Sequence, residues 1–159
     1  MVNKTVPLKV VLFEPEIPWN TGNIGRTCVA AGAELHLVGP LGFSLSERQI
    51  RRSGLDYWSK LKLFRHEDYA AFESGLPAKA SLLAFSAQGA KTHWEAPYTK
   101  ESFLLFGRES TGLPEPLLKR LKTYRIPMAP DIRSLNLSTS AGIVLYEALR
   151  RSRSPSSVV

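Results

Sequence analysis

The sequence predicts one α/β domain organised around a mostly parallel sheet. Short apolar runs alternate along the chain with stretches whose apolar residues recur at helical spacing, which is typical of strands joined by crossover helices. The 159 residues contain no linker that divides two halves, and their number suits one domain. We expect the domain to span residues 1–151, followed by a mobile Ser- and Arg-rich tail over residues 152–159.

Five apolar runs are expected as strands: Leu8–Phe13, Glu34–Val38, Ser81–Ser86, Ser102–Phe106 and Thr123–Ile126. Five further stretches are expected as helices: Asn23–Ala31, Ser46–Arg52, Glu67–Glu73, Glu115–Leu121 and Ser138–Arg151. In the first helix, Ile24, Thr27, Cys28 and Ala31 follow the i, i+3, i+4, i+7 pattern, so this face is expected to pack on the sheet. A buried, unreactive Cys28 thiol follows from that placement.

Arg26 stands apart from this packed face. It lies about 200° around the predicted helix from Ile24. In the first turn of a helix that begins near Asn23, the helix dipole disfavours its cation by about 0.3–1 kcal/mol. Such a position indicates an anionic ligand, with a solvated surface arginine as the alternative. Asn20 and Thr21 are candidate caps of this helix, and a cap is the preferred interpretation for Asn20 taken alone.

Composition limits the function classes. Lys and Arg exceed Asp and Glu by 21 − 14 = 7, which indicates an anionic partner, nucleic acid first and a membrane surface second. Cys28 is the only cysteine, and His36, His66 and His93 have no paired spacing, so no disulfide or metal site is expected. No apolar run is long enough to cross a bilayer or to serve as a secretory signal, and a cytoplasmic location is expected.

Three long loops interrupt the regular pattern, at residues 15–23, 106–114 and 126–138. Each follows a strand or strand-like run and precedes a helix. Because ligands bind outside the carboxyl ends of strands in open α/β sheets, the three loops predict one composite site. Dinucleotide and P-loop glycine patterns are absent, which disfavours a Rossmann oxidoreductase and a P-loop NTPase.

The second and third loops carry the polar groups of this predicted site. Gly107 and Gly112 bracket Glu109, which is either a ligand-binding carboxylate or a solvated loop acid. The third loop places five short polar side chains before an apolar helix, although one helix cap would suffice, with Ser138 or Thr139 expected in that role. The five are Ser134, Asn136, Ser138, Thr139 and Ser140.

Segments Asn20–Thr27, Phe106–Pro114 and Ile126–Ser138 together resemble, in order and spacing, the three motifs of SPOUT-class RNA 2′-O-methyltransferases. The likeness covers nearly the whole chain. The compact length, together with Leu12–Pro18 and Arg51–Tyr57, is similar to the minimal enzymes of this class that methylate the wobble ribose of tRNA. The resemblance implies a C-terminal trefoil knot, S-adenosylmethionine bound in the knot loops, and a homodimer.

Site residues carried over from the resemblance form two sets. The catalytic positions are Asn20, Arg26, Glu109, Ser134 and Asn136. The cofactor contacts are Phe85, Gly107, Ile126 and Ser134. A guanidinium stays protonated at neutral pH, so Arg26 is expected to hold an RNA phosphate and the reacting hydroxyl. Asn20 and Glu109 are expected to orient Arg26, while Ser134 and Asn136 order the cofactor loop.

One position departs from the wobble-base group, which often has Pro where this chain has Arg108. The alternatives are therefore 2′-O-methylation of another tRNA site or of ribosomal RNA. A third reading is an RNA-binding module without catalysis, which the intact catalytic positions disfavour.

RNA contacts are expected from basic residues in several segments, with a salt-sensitive affinity. These residues are Arg48, Arg51, Arg52, Lys119, Arg120, Lys122, Arg150, Arg151 and Arg153. The C-terminal helix carries more apolar residues than one small sheet can cover, which predicts a homodimer with Tyr146 at the contact. A most-buried helix of a monomer is the alternative.

Overall fold

The computed structural model describes residues 7–46, 50 and 55–152. Seven strands lie within them: β1 Lys9–Phe13, β2 Glu34–Val38, β3 Leu63–His66, β4 Ser81–Phe85, β5 Lys91–Thr92, β6 Ser102–Phe106 and β7 Thr123–Arg125. The α-helices are α1 Pro18–Ala31, α2 Tyr69–Ser74, α3 Glu115–Arg120 and α4 Leu137–Ser152, and 3-10 segments occupy Leu55–Lys60 and His93–Glu95. The predicted helix Ser46–Arg52 falls mainly outside the described residues.

All seven strands are parallel and follow the order β3-β2-β1-β6-β4-β7-β5. This confirms the predicted α/β class. Strands β3 and β5 were not predicted; β5 is the outermost strand at one edge and β3 at the other. Each of these two edge strands pairs with only one neighbouring strand. Its strand conformation therefore depends on that pairing and not on an apolar run in its own sequence. The trefoil knot stays a prediction.

The sheet has a hydrophobic core on each face. Along β1, Val10 and Leu12 enter one core and Val11 and Phe13 enter the other, as the two-residue period of a strand requires. Helices α1 and α4 cover the first core, and α2 and α3 cover the second. Cys28 is buried in the first core as expected, and burial raises the pKa of its thiol to about 12.

Helix α1 begins five residues earlier than predicted. Pro18 occupies its first position, where the fixed φ of proline suits a helix start. Asn20 and Thr21 therefore lie inside the helix and are buried, so the expectation that they are caps was wrong. Arg26 lies beyond the first turn, and the argument from an unfavourable helix dipole no longer applies to it.

Helix α4 begins at Leu137, and its cap is Asn136 rather than the expected Ser138 or Thr139. The Asn136 Oδ1 atom accepts from the backbone N–H groups of Ser138 and Thr139, at 2.9 and 3.3 Å. Asn136 fits this position because its side chain reaches the free N–H groups of the first turn.

No helix within the described ranges is long and apolar enough to cross a membrane.

Candidate functional site

The site lies where the order of the strands reverses. From β1 the chain adds β2 and β3 on one side of the sheet, while β6 lies on the other side of β1. Crevices outside the carboxyl ends of two such strands are where open α/β sheets bind ligands. The loop after β1, residues 14–17, and the loop after β6, residues 107–114, meet at this point.

Glu109 joins these two loops. Its Oε2 accepts from the backbone N–H of Glu16 at 2.8 Å, and its Oε1 accepts from the N–H of Ile17 at 3.0 Å. The side-chain Nδ2 of Asn20 donates to the same Oε1 at 3.4 Å. The carboxylate therefore holds the N-terminal end of α1, and both of its oxygens are engaged.

Asn136 connects the third loop to the same network. Its Nδ2 donates to Asn20 Oδ1 at 3.1 Å, while its own Oδ1 caps α4. Asn20 is only 2% exposed, so its amide is fixed between Glu109 and Asn136. One chain of hydrogen bonds thus links α1, the loop after β6 and the start of α4.

Gly107 and Gly112 are required by the shape of the loop after β6. Arg108 and Gly112 exchange backbone hydrogen bonds of 3.2 and 2.9 Å, which closes a tight hairpin. A Cβ on Gly107 would lie 2.2 Å from the Gly112 carbonyl carbon, and Gly112 has φ of +68°. Only glycine satisfies both conditions without strain.

A cavity of about 590 Å³ opens beside this network, within the usual size range for small-molecule sites. Seven of the eight predicted catalytic and cofactor residues line it: Asn20, Phe85, Gly107, Glu109, Ile126, Ser134 and Asn136. The structure therefore brings together residues from all three loops and from the end of β4. Their individual roles stay predictions.

Arg26 is the predicted site residue that does not line the cavity. It is exposed, and its guanidinium carbon lies 4.8 Å from the centre of the Tyr57 ring. Arg26 follows Asn20 by six residues in α1, which separates the two by about 9 Å along the helix axis and by about 120° around it. No contact among the described residues joins Arg26 to Asn20 or Glu109, and the expected orientation of Arg26 by these two residues stays a prediction.

Two arginines that line the cavity were not predicted as site residues. Arg108 donates from Nε to Glu14 Oε2 at 2.8 Å and lies over the Phe13 ring. Arg133 is exposed and makes no hydrogen bond or ion pair with the described part of the chain. Its position next to Ser134 in the third loop was the available signal.

Four of the five predicted RNA-binding cations that lie within the described residues have partners there. Ion pairs join Lys119 to Glu115, Arg120 to Glu73 and Arg150 to Glu147, and Arg151 donates to the Trp94 carbonyl. The Lys122 side chain is exposed and has no partner among the described residues. Arg48, Arg51, Arg52 and Arg153 lie outside the described residues. The contribution of each to RNA binding stays a prediction.

Two of the three histidines form a pair that sequence spacing did not reveal. His36 Nδ1 lies 3.0 Å from His66 Nε2, because parallel strands β2 and β3 place the two rings side by side. Burial, followed by the charges of His66 and Lys9, lowers the pKa of His36 to about 4. The described residues contain no group of three or more potential metal ligands.

Comparison with known proteins gives consistent matches over nearly the whole chain. An Escherichia coli (strain K12) protein named tRNA (cytidine(34)-2'-O)-methyltransferase is 43% identical over 156 residues, which is 96% of this chain and 98% of that protein. A structure solved for insights into the 2-OH methylation of C/U34 on tRNA superposes with a TM-score of 0.88 at 49% identity, covering 91% and 95% of the two chains.

An AdoMet-bound rRNA methyltransferase from Sinorhizobium meliloti has a TM-score of 0.83 and 30% identity. The match covers 93% of this chain and 57% of that larger protein. The model of the SpoU rRNA Methylase family matches residues 7–146. The resemblance of the three loops is thereby confirmed, and the protein belongs to the SpoU rRNA Methylase family.

Proposed function

We propose that the protein transfers a methyl group from S-adenosylmethionine to the ribose 2′-hydroxyl of nucleotide 34, the wobble position, of tRNA. One observation carries the proposal: the three loops converge on one cavity at the reversal of strand order. The near-complete match to a tRNA (cytidine(34)-2'-O)-methyltransferase supports the substrate. The alignment covers 98% of the length of that relative.

The cavity suits the proposed cofactor. Apolar side chains of Phe85, Ile126 and Met128 provide surfaces for a flat heterocycle, and the polar loops provide hydrogen-bonding groups. Gly107 also lines the cavity, and its missing side chain lets the Gly112 backbone pack directly against it. S-adenosylmethionine supplies a methyl group on a sulfonium, which is reactive without a metal ion.

The protein's own groups would contribute mainly positioning and electrostatics. Glu109 already accepts three N–H groups, so it holds the α1 terminus rather than accepting the hydroxyl proton. Asn20 and Asn136 keep the third loop beside that terminus. Arg26 is exposed for RNA, where its guanidinium would bind a phosphate and stabilise charge developing on the ribose oxygen.

We further propose that the active form is a homodimer. Helices α1 and α4 pack together, and they expose Trp19 at 61%, Ile143 at 38% and Tyr146 at 49%. Burying such side chains contributes about 1.5–3 kcal/mol each. A second copy on this face would also let Arg26 of one subunit act with RNA held at the cavity of the other.

The test is methylation of defined tRNA transcripts with labelled cofactor, followed by mapping of the modified ribose. We expect one 2′-O-methyl group at C34 or U34, and no transfer to a transcript whose nucleotide 34 is 2′-deoxy. Methylation at another tRNA position or only in ribosomal RNA would refute the substrate. Arg108, which departs from the wobble-base pattern, makes ribosomal RNA the control substrate.

Calorimetric titration with S-adenosylmethionine separates an enzyme from a binding module. We expect a saturable heat of binding at one site per chain. A protein that binds tRNA but takes up no cofactor would be a non-catalytic RNA-binding module.

A further inference from the structure

Arg133 is the one charged residue lining the cavity whose side chain has no partner among the described residues. Among the described lining residues, the charged side chains are Arg108, Glu109 and Arg133. Arg108 is paired with Glu14, and Glu109 is engaged by three N–H donors. The Arg133 guanidinium has no such partner in the part of the chain that the structure describes. The cavity therefore presents one free positive charge.

The position of Arg133 makes that charge available from solvent. It lies in an exposed stretch, residues 129–134, directly after the turn that the Ile132 N–H closes on the Ala129 carbonyl at 3.1 Å. Three residues later, Asn136 fixes the chain to α4 and to Asn20. Arg133 thus stands at the rim of the cavity on a loop whose end is anchored.

The chemistry of a guanidinium favours one class of ligand. Its planar array of N–H donors matches the oxygens of a phosphate or carboxylate in a two-point contact. RNA brings a phosphate with every nucleotide and approaches from solvent. S-adenosylmethionine carries a positive sulfonium beside the methyl group, which an unpaired arginine disfavours.

We propose that Arg133 binds the RNA phosphate adjoining the ribose that enters the cavity. This inference rests on the proposed function and adds a substrate-positioning residue to it. The contact would set the depth of the ribose from the rim, while Arg26 acts from the surface of α1. The other possible ligand of the Arg133 guanidinium is the carboxylate of the cofactor.

The experiment compares Arg133→Gln with Arg133→Lys and with Arg65→Gln. Arg65 is an exposed arginine on strand β3 whose guanidinium has no partner among the described residues and does not line the cavity, so its substitution removes the same charge elsewhere. Binding of a tRNA transcript is measured from low to moderate salt, and cofactor binding is measured by calorimetry. Neither readout requires turnover.

We expect Arg133→Gln to weaken tRNA binding about tenfold and to lower the salt slope by about 0.7–0.9. Cofactor affinity should be unchanged, Arg133→Lys should retain the slope, and Arg65→Gln should leave tRNA affinity within about twofold. An unchanged slope, or a loss confined to cofactor binding, would overturn the proposal. Methylation at a site other than nucleotide 34 would refute the proposed substrate but not the contact between Arg133 and a phosphate. The same binding measurements would then be made with the RNA that is methylated.

Discussion

Glu14 and Arg108 form an ion pair across the reversal of strand order, and the backbone of Glu14 is in the left-handed region. The φ of Glu14 is +45°, and its Oε2 accepts from Arg108 Nε at 2.8 Å and from Nη2 of the same guanidinium. Left-handed backbone at a residue other than glycine costs about 1–2 kcal/mol. The pair and the packing of Arg108 over Phe13 hold this conformation in place.

The first prediction concerns this pair. In a double-mutant cycle of Glu14→Gln and Arg108→Met, we expect a coupling of about 1 kcal/mol in the free energy of unfolding. Denaturant titration of the four proteins measures it. Strictly additive effects of the two substitutions would show that the pair does not hold the loops together.

The second prediction separates positioning from proton transfer at Glu109. Glu109→Ala leaves the Glu16 and Ile17 N–H groups without their acceptor, so we expect about 1–3 kcal/mol of destabilisation. Glu109→Gln keeps one oxygen acceptor and should retain part of the stability and measurable methyl transfer. A Gln variant that is stable and binds cofactor but is wholly inactive would identify Glu109 as the proton acceptor.

The third prediction concerns Arg26. Its described contact is with the exposed Tyr57 ring, so Arg26→Ala should change stability by less than about 1 kcal/mol. We expect methyl transfer to be abolished with cofactor affinity retained, measured by single-turnover transfer and calorimetry. Arg26→Lys, which keeps the charge but loses the planar donor array, should recover only a small part. Near-normal turnover of the Ala variant would contradict the assignment.

The fourth prediction is a pH dependence of stability caused by the histidine pair. Burial lowers the pKa of both His36 and His66 in the folded chain, that of His36 to about 4. The unfolded chain therefore binds protons first as the pH falls below about 6.5, so stability is complete above that pH and declines toward pH 4.

Denaturant unfolding between pH 4 and 8 tests this expectation by comparing the wild type with His36→Gln. Carboxylates remote from the pair contribute equally to both proteins, so the difference between the two profiles reports His36 together with its neighbours His66 and Glu34. We expect the variant to have the shallower decline. Parallel profiles would exclude a contribution from the pair.

The fifth prediction tests the proposed dimer. Tyr146→Glu places a charge on the exposed face of α4, where burial of an unpaired carboxylate is strongly unfavourable. Light scattering should give about twice the chain mass for the wild type and the single chain mass for the variant. Ile132→Glu introduces the same charge at an exposed apolar residue of the third loop and should remain dimeric. A fully active wild-type monomer would refute the dimer.

The central strands and the three loops were predictable because their signals are local. Parallel strands buried on both faces contain continuous apolar runs, as in Val10–Phe13 and Phe103–Phe106. Loops after such strands gather at one edge of the sheet, so the convergence of Asn20, Glu109 and Asn136 followed from their order. The edge strands β3 and β5 gave no comparable signal, since pairing with a neighbour forms them.

The sequence by itself determined the fold class, the central strands and the residue types of the site. Tertiary structure decided what those residues contact. The partners of the Glu109 carboxylate lie 89 to 93 residues away, Glu14 lies 94 residues from Arg108, and Asn20 lies 116 residues from Asn136. In the tertiary structure α1 also begins at Pro18, Arg26 lies outside the cavity, and His36 contacts His66. The reason is that local pattern records which face of an element is buried, whereas hydrogen bonds between loops depend on which strands become neighbours in the sheet.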